Sequence, residues 1–188
     1  RTMVRNTNFK DNLTLMCHDA KISDNFSLET SCGVSLFTAG SYDDAQKHFE
    51  TSIKLAPHSW NNWWGLGTVL GRKAMSQKDE RLFKEAEIAL KKAIKNEPNA
   101  SLAYQNLGHL FAYYKDYYKD VNAREFLTNA LDRFPNNFKL WLYLAVTEYR
   151  SGNKVAAQKA IKHAYVLNPN DKEIIRVYDA LMKGNKRE

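Results

Sequence analysis

The chain runs to 188 residues with only four prolines, two cysteines and eight glycines. No apolar run approaches the roughly 20 residues that cross a bilayer, and no charged, apolar and small-residue succession reads as a signal peptide. The segment itself is therefore expected to be soluble. Net charge is +7, yet there is no run of five or more basic residues and no RNA-recognition or zinc-finger wording, which disfavours nucleic acid as a partner. An anionic membrane surface is at least as good a match for lysines spread along nearly every helix. A phosphate-cradling glycine loop and a nucleophile elbow are both missing. Gly65-Leu-Gly67-Thr-Val-Leu-Gly71 superficially looks like a dinucleotide loop, but it is one residue too long and follows Trp63-Trp64 with no strand before it. Close helix packing explains those glycines better. Asp43-Asp44 reads as a helix start rather than a catalytic pair. No catalysis and no cofactor are expected, and two cysteines with five scattered histidines (His18, His48, His58, His109, His163) draw no metal pattern.

What is present is periodic. Pro57, Pro98, Pro135 and Pro169 each stand where a helix must stop, because proline lacks the amide and disfavours a helical residue before it. Five residues before them come Ser52, Ala93, Ala130 and Ala164; three before those, Phe49, Leu90, Leu127 and Ile161; four further back, Ala45, Ala86, Ala123 and Ala157. This spacing puts all three sets on one helical face, where small residues let two helices approach closely. A preceding helix is marked by Trp63, Leu66, Gly67 and Leu70, matched by Tyr104, Leu107, Gly108 and Phe111. Trp141, Leu144 and Ala145 follow the same wording, with Glu148 departing at the next slot, and the leading copy is weakest with Glu29, Cys32, Gly33 and Leu36. A unit of about 34 residues made of two helices can bury its apolar face only against its neighbours.

These residues resemble the tetratricopeptide repeat (TPR), worded Trp, Leu-Gly, Tyr, Ala, Phe, Ala, Pro at such intervals, over residues 26 to 171. The resemblance implies an all-α, right-handed superhelical TPR solenoid of antiparallel helix pairs, with four full repeats at 26–59, 60–100, 101–137 and 138–171. An N-terminal half repeat within 1–25 carries Phe9, Leu13, Met16, Ala20 and Ile22; a C-terminal capping helix and basic tail fill 172–188, with Ile174, Ile175, Val177, Tyr178, Leu181 and Met182 on the helix. Extra residues around 74–80 and 113–120 are expected as longer helices, since they amount to about two turns and nearly one. They make one rim basic and aromatic through Arg72, Lys73, Lys78, Arg81, Tyr114, Lys115, Tyr117, Tyr118 and Lys119. Successive helices of such a stack pack together, so a Cys17–Cys32 disulfide is geometrically conceivable, although two separate thiols are favoured.

Residues 1–15 carry a second resemblance, to the stretch joining the last membrane helix to the repeats in transmembrane and TPR-containing proteins: an Arg-Asn pair, an aromatic (here Phe9), an acidic residue and Leu. That family couples a glycosyltransferase-like membrane domain, linked to protein O-mannosylation, to TPRs outside the cytosol. It implies that the chain is the soluble, extracytoplasmic domain of a longer membrane protein; a cytoplasmic location is the alternative.

In the TPR class the first helices line a concave groove. Here those positions are Ser27, Thr30, Ser31, Val34 and Phe37, then Asn61, Trp64, Thr68 and Arg72, then Gln105, Asn106, His109 and Tyr113, then Lys139, Tyr143, Val146, Tyr149 and Arg150. Asn and Gln can bond a peptide backbone whatever its sequence, and Trp and Tyr offer flat apolar faces with polar edges. The mixture suits an extended peptide, and would suit sugar rings too. The donors by which co-chaperone TPRs grip a C-terminal carboxylate are missing: the corresponding residues are Thr30, Val34, Gly65, Leu102 and Asn106, or Trp64, Thr68, Asn106, Lys139 and Tyr143. The expected function is a non-catalytic protein- or peptide-binding scaffold; the alternative is a structural spacer or self-association module without a groove ligand.

Overall fold

The computed structural model describes residues 17–20, 22–114 and 123–183, and every regular element among them is helical. Residues 17–20 form a helical segment, followed by α1 (Phe26–Thr38), α2 (Tyr42–Leu55), α3 (Trp60–Gln77), α4 (Glu80–Asn96), α5 (Ser101–Tyr113), α6 (Ala123–Arg133), α7 (Phe138–Arg150), α8 (Lys154–Leu167) and α9 (Lys172–Lys183). The chain forms two compact units, Arg1–Ala103 and Tyr104–Glu188.

The four prolines act as the sequence predicts. α2, α4, α6 and α8 end at Leu55, Asn96, Arg133 and Leu167, each two residues before its proline. The start of the next helix is tied back to the same turn in both units. Trp63 Nε1 donates to the Pro57 carbonyl at 2.7 Å, and Trp141 Nε1 to the Pro135 carbonyl at 2.8 Å. Each indole is then covered from the following helix, Trp63 by Lys92 Nζ at 4.1 Å from the ring centre and Trp141 by the stacked His163 ring at 4.6 Å.

In the first unit α1 packs on α2, α2 on α3, and α3 on α4, while α1 also meets α3. The apolar seam holds Ala45, Phe49, Val69, Leu70, Phe83, Ala86, Leu90 and Ala93, all buried. In the second unit α6 packs on α7, α7 on α8 and α8 on α9, around Leu127, Ala130, Leu140, Leu142, Ile161, Ala164 and Ile174. Tyr104 and Phe111 of α5 lie against Phe126 of α6 at 5.9 and 5.3 Å between ring centres. Ala123, at the start of α6, is only half-buried, unlike its counterparts Ala45, Ala86 and Ala157.

The inserted residues near 74–80 lengthen helices: α3 and α4 have 18 and 17 residues against 13 and 14 in α1 and α2. The rim they form is less open than its composition suggests. Lys73 Nζ lies 2.7 Å from Asp43 Oδ1 and 2.8 Å from Gln46 Oε1, and Tyr114 is buried. Lys115, Tyr117, Tyr118 and Lys119 fall outside the described residues, as do Phe9, Leu13 and Met16 of the half repeat. Ala20 is buried as expected, but Ile22 is 69% exposed because the helical segment gives way to a bend at Ser23. The capping helix buries Ile174 and Leu181.

One expectation is overturned. Cys17 and Cys32 are joined as a disulfide, with their Cα atoms 4.9 Å apart, because the helical segment at 17–20 lies against α1. The bridge spans 15 residues, which corresponds to about 3 kcal/mol of loop-closure entropy in the chain-entropy account.

Gly65 and Gly67 lie inside α3 rather than in a nucleotide-binding turn. A Cβ on Gly67 would stand 2.6 Å from Leu90 Cγ, and one on Gly65 would intrude into the Phe49 ring. Gly65→Ala is therefore expected to cost about 1–3 kcal/mol by overpacking, despite alanine's better helix propensity. Urea unfolding checks this, and Phe49→Leu in the same background should cost less than in the parent. Unchanged stability in Gly65→Ala would mean that α2 and α3 separate freely.

Candidate functional site

The first helices of the hairpins carry the predicted groove residues, and each unit disposes of them differently. In the first unit Asn61 and Arg72 are exposed, while Trp64 is half-buried beside Trp60, at 6.3 Å between ring centres. Thr68 donates to the Trp64 carbonyl at 2.7 Å. Trp64 Nε1 is buried and has no acceptor among the described residues.

The residue that organises this unit's polar row is Asn62, which the sequence reading passed over. It is fully buried; its Nδ2 donates to the carbonyls of Ser52 and Ala56 at 3.0 and 3.2 Å, and its Oδ1 accepts from Thr30 Oγ1 at 2.7 Å. Ser52 in turn donates to the Phe26 carbonyl at 2.8 Å. Thr30 thus serves as a strut between α1 and α3 rather than as a ligand contact. The signal available in the sequence was the small polar Ser52 in a slot that is alanine in the other copies.

In the second unit the predicted residues do meet. His109 lies 4.8 Å from Tyr113 and 5.3 Å from Tyr143 between ring centres, and Tyr113 is 6.2 Å from Tyr143. Arg150 Nη1 donates to the Ala112 carbonyl at 2.8 Å, with its guanidinium carbon 5.7 Å from the Tyr113 ring centre. Lys139 Nζ is 3.0 Å from Asp171 Oδ2 and 3.2 Å from Glu173 Oε2, and Tyr113 Oη donates to Glu173 Oε1 at 2.5 Å. The side chains of α5, α7 and the start of α9 therefore share one face. Gln105 and Asn106 are half-buried on α5, while Tyr149 is 58% exposed at the far end of α7.

The electrostatics of this face are set by Asp171 and Glu173. Burial drives the Asp171 carboxyl upward, but the Ile174 and Glu173 amides and the Lys139 ammonium outweigh it and hold the group below the usual carboxylate range. Burial, reinforced by the hydrogen bond to Glu173, pushes the Tyr113 phenol far above its ordinary value. Burial and then the Glu173 charge do the same to Tyr143. Both phenols stay neutral, so each keeps its proton as a hydrogen-bond donor.

A tetratricopeptide-repeat family model matches residues 33–73 and 122–172. Among solved structures, PilF of Pseudomonas aeruginosa is 15% identical with a TM-score of 0.70, over 86% of this chain and 69% of that one. A thermophilic TPR protein of Thermus thermophilus is 18% identical with a TM-score of 0.70, over 91% of this chain and 89% of that one. The APC/C hetero-tetramer Cut9–Hcn1 contains a chain 16% identical with a TM-score of 0.70, over 90% of this chain and 32% of that one. At such identities the likeness shows the fold. A search of the curated proteins found no match.

Because its folded pKa is depressed, Asp171 contributes stability that is present above the unfolded carboxyl value, about 3.9, and lost as pH falls through the lower folded value. Asp171→Asn keeps an oxygen to cap α9 but loses the pair with Lys139. Its urea midpoint should lie below the parent's at neutral pH and converge with it by about pH 2. An equal deficit at both pH values would locate the effect in the cap instead.

Proposed function

We propose that this tetratricopeptide-repeat domain is a non-catalytic scaffold that holds an extended protein segment along the first-helix face of its second unit. TPR proteins are generally scaffolds without catalysis. The observation that carries the reading is the convergence of His109, Tyr113, Lys139, Tyr143 and Glu173 on one face, with Tyr149 exposed further along α7. Flat aromatic faces accept a peptide's apolar side chains, the exposed Tyr149 hydroxyl can donate to its carbonyls, and Gln105 and Asn106 can donate to and accept from its backbone. Cut9–Hcn1, a protein–protein assembly by its own description, supports the choice of a protein partner.

The larger context proposed for the domain is a glycosyltransferase-like membrane protein with its repeats outside the cytosol. The segment carrying that resemblance, residues 1–15, falls outside the described residues, and no described helix is long and apolar enough to cross a membrane. The Cys17–Cys32 disulfide supports an oxidising, extracytoplasmic compartment.

An immobilised library of short extended peptides, probed with the full chain, tests the reading. Peptides selected in this way should bind Asn106→Ala and Tyr149→Ala about 5-fold or more weakly, equivalent to about 1 kcal/mol, and bind Val166→Glu, on the exposed side of α8, as they bind the parent. Undiminished binding by both groove variants would reject this face. No capture, together with a concentration-dependent dimer in light scattering, would favour the self-association module.

A further inference from the structure

Three ligand-type side chains that sequence spacing does not connect come together in the first unit. Cys17 and Cys32 share the disulfide, and a ring nitrogen of His48 on α2 and the two sulfurs all lie within 4.8 Å of one another. Behind the imidazole, His48 Nδ1 is 2.6 Å from Glu29 Oε2, and Glu29 is buried one turn before Cys32 on α1. In the tautomer that donates from Nδ1 to this carboxylate, Nε2 is the ring nitrogen that carries the ligating lone pair. A carboxylate behind a histidine is the usual outer support of a metal-ligating imidazole.

The three positions depart from the repeat together. Where Glu29 and Cys32 stand, the other copies have Trp63 and Leu66, Tyr104 and Leu107, and Trp141 and Leu144; where His48 stands, nine residues before the closing proline, they have Ala89, Phe126 and Ala160. Packing alone asks for none of these replacements, since apolar residues fill the same slots elsewhere. In a tetrahedral site with Zn–S about 2.3 Å and Zn–N about 2.0 Å, ligand atoms stand about 3.3–3.8 Å apart, a separation that small side-chain rotations reach once the sulfurs are no longer bonded.

We propose that, with the disulfide reduced, Cys17, Cys32 and His48 hold one divalent cation of the zinc class, with Glu29 orienting the imidazole and a fourth position open to water, and that reoxidation expels the ion. A dithiol reductant delivers two electrons and two protons to the sulfur–sulfur bond, giving two thiols and its own disulfide. Cation binding then releases the two thiol protons to solvent, and the metal stays divalent. On the return, a disulfide oxidant takes up the two electrons as the Cys17–Cys32 bond re-forms and the cation leaves unchanged.

Cobalt(II) is a suitable probe, added to the full chain after reduction with a dithiol and anaerobic desalting. The reduced chain should take up one ion, with thiolate-to-cobalt charge-transfer absorption and the intense visible bands of tetrahedral coordination, and zinc should displace it. The oxidised chain should show neither signal. Glu29→Gln should bind about 10-fold or more weakly, His48→Gln more weakly still, and Cys17→Ser should lose the two-thiolate spectrum. His48→Gln retains both cysteines and can be folded oxidised before reduction, so its result does not depend on assembling without the bridge. No uptake by a reduced chain of unchanged helix content, or equal affinity in His48→Gln and the parent, would overturn the proposal. If reduction lowers the far-ultraviolet helix signal, its recovery on adding zinc would support the site, and failure to recover would reject it.

Discussion

The close approach of paired helices is the constraint from which the rest of the structure follows. The Phe49 ring occupies the space that a Cβ on Gly65 would need, and Leu90 fills the corresponding space over Gly67. With side chains seated directly on a neighbouring backbone, the seam has no slack for water. A polar group caught in it is costly unless it finds a partner within the protein, and among the described residues only Trp64 Nε1 and Thr147 Oγ1 are buried without one. Asn62 is the clearest case, buried with its amide and its oxygen both bonded to neighbouring helices.

Buried acids obey the same rule. Glu148, the residue that breaks the repeat wording on α7, is met by Arg124 Nη2 at 2.7 Å, and Glu29, which breaks it on α1, by His48. Glu87 has Lys91 one turn along its own helix. Glu148 and Glu87 have cations as partners, and a buried ion pair offsets its desolvation only in part, so that an apolar pair of similar volume often does as well or better. These departures are therefore poor candidates for stabilising devices. They are better explained as fixing which helices meet, or, at Glu29, as positioning an imidazole for chemistry of its own.

The fold was legible because its signals are local and periodic. Each proline stops one helix, and the slots at Phe49, Leu90, Leu127 and Ile161 follow helical geometry alone, with all four side chains buried. The helical register of α5 and α7 was legible for the same reason: His109, Tyr113, Tyr143 and Arg150, assigned to one side by counting, have neighbouring side chains, with Lys139 tied to the same face through Glu173. What escaped depends on contacts between elements. Asn62 differs from Asn61 by one position, a rotation of about 100° that takes it from solvent into the seam. Asp171 and Glu173, at the junction of the last repeat and the capping helix, carry no periodic signal, although both pair with Lys139 on this face. The pairing of Cys17 with Cys32 depends on how a short helical segment docks on α1, which no spacing specifies.

The same demand for partners narrows what the second unit's face can recognise. Lys139 is already met by two carboxylates and Arg150 by a backbone carbonyl and a tyrosine ring, so an acidic ligand would have to displace pairs that are already formed. Tyr113 and Tyr143, by contrast, are kept neutral by burial and by Glu173, and present apolar faces fixed by their neighbours. Side chains held in one geometry lose little freedom when a ligand arrives. On the proposed reading, a ligand of this face would be held by shape and backbone hydrogen bonding rather than by charge, because of the paired acids at the start of α9 as much as the aromatics on α5 and α7.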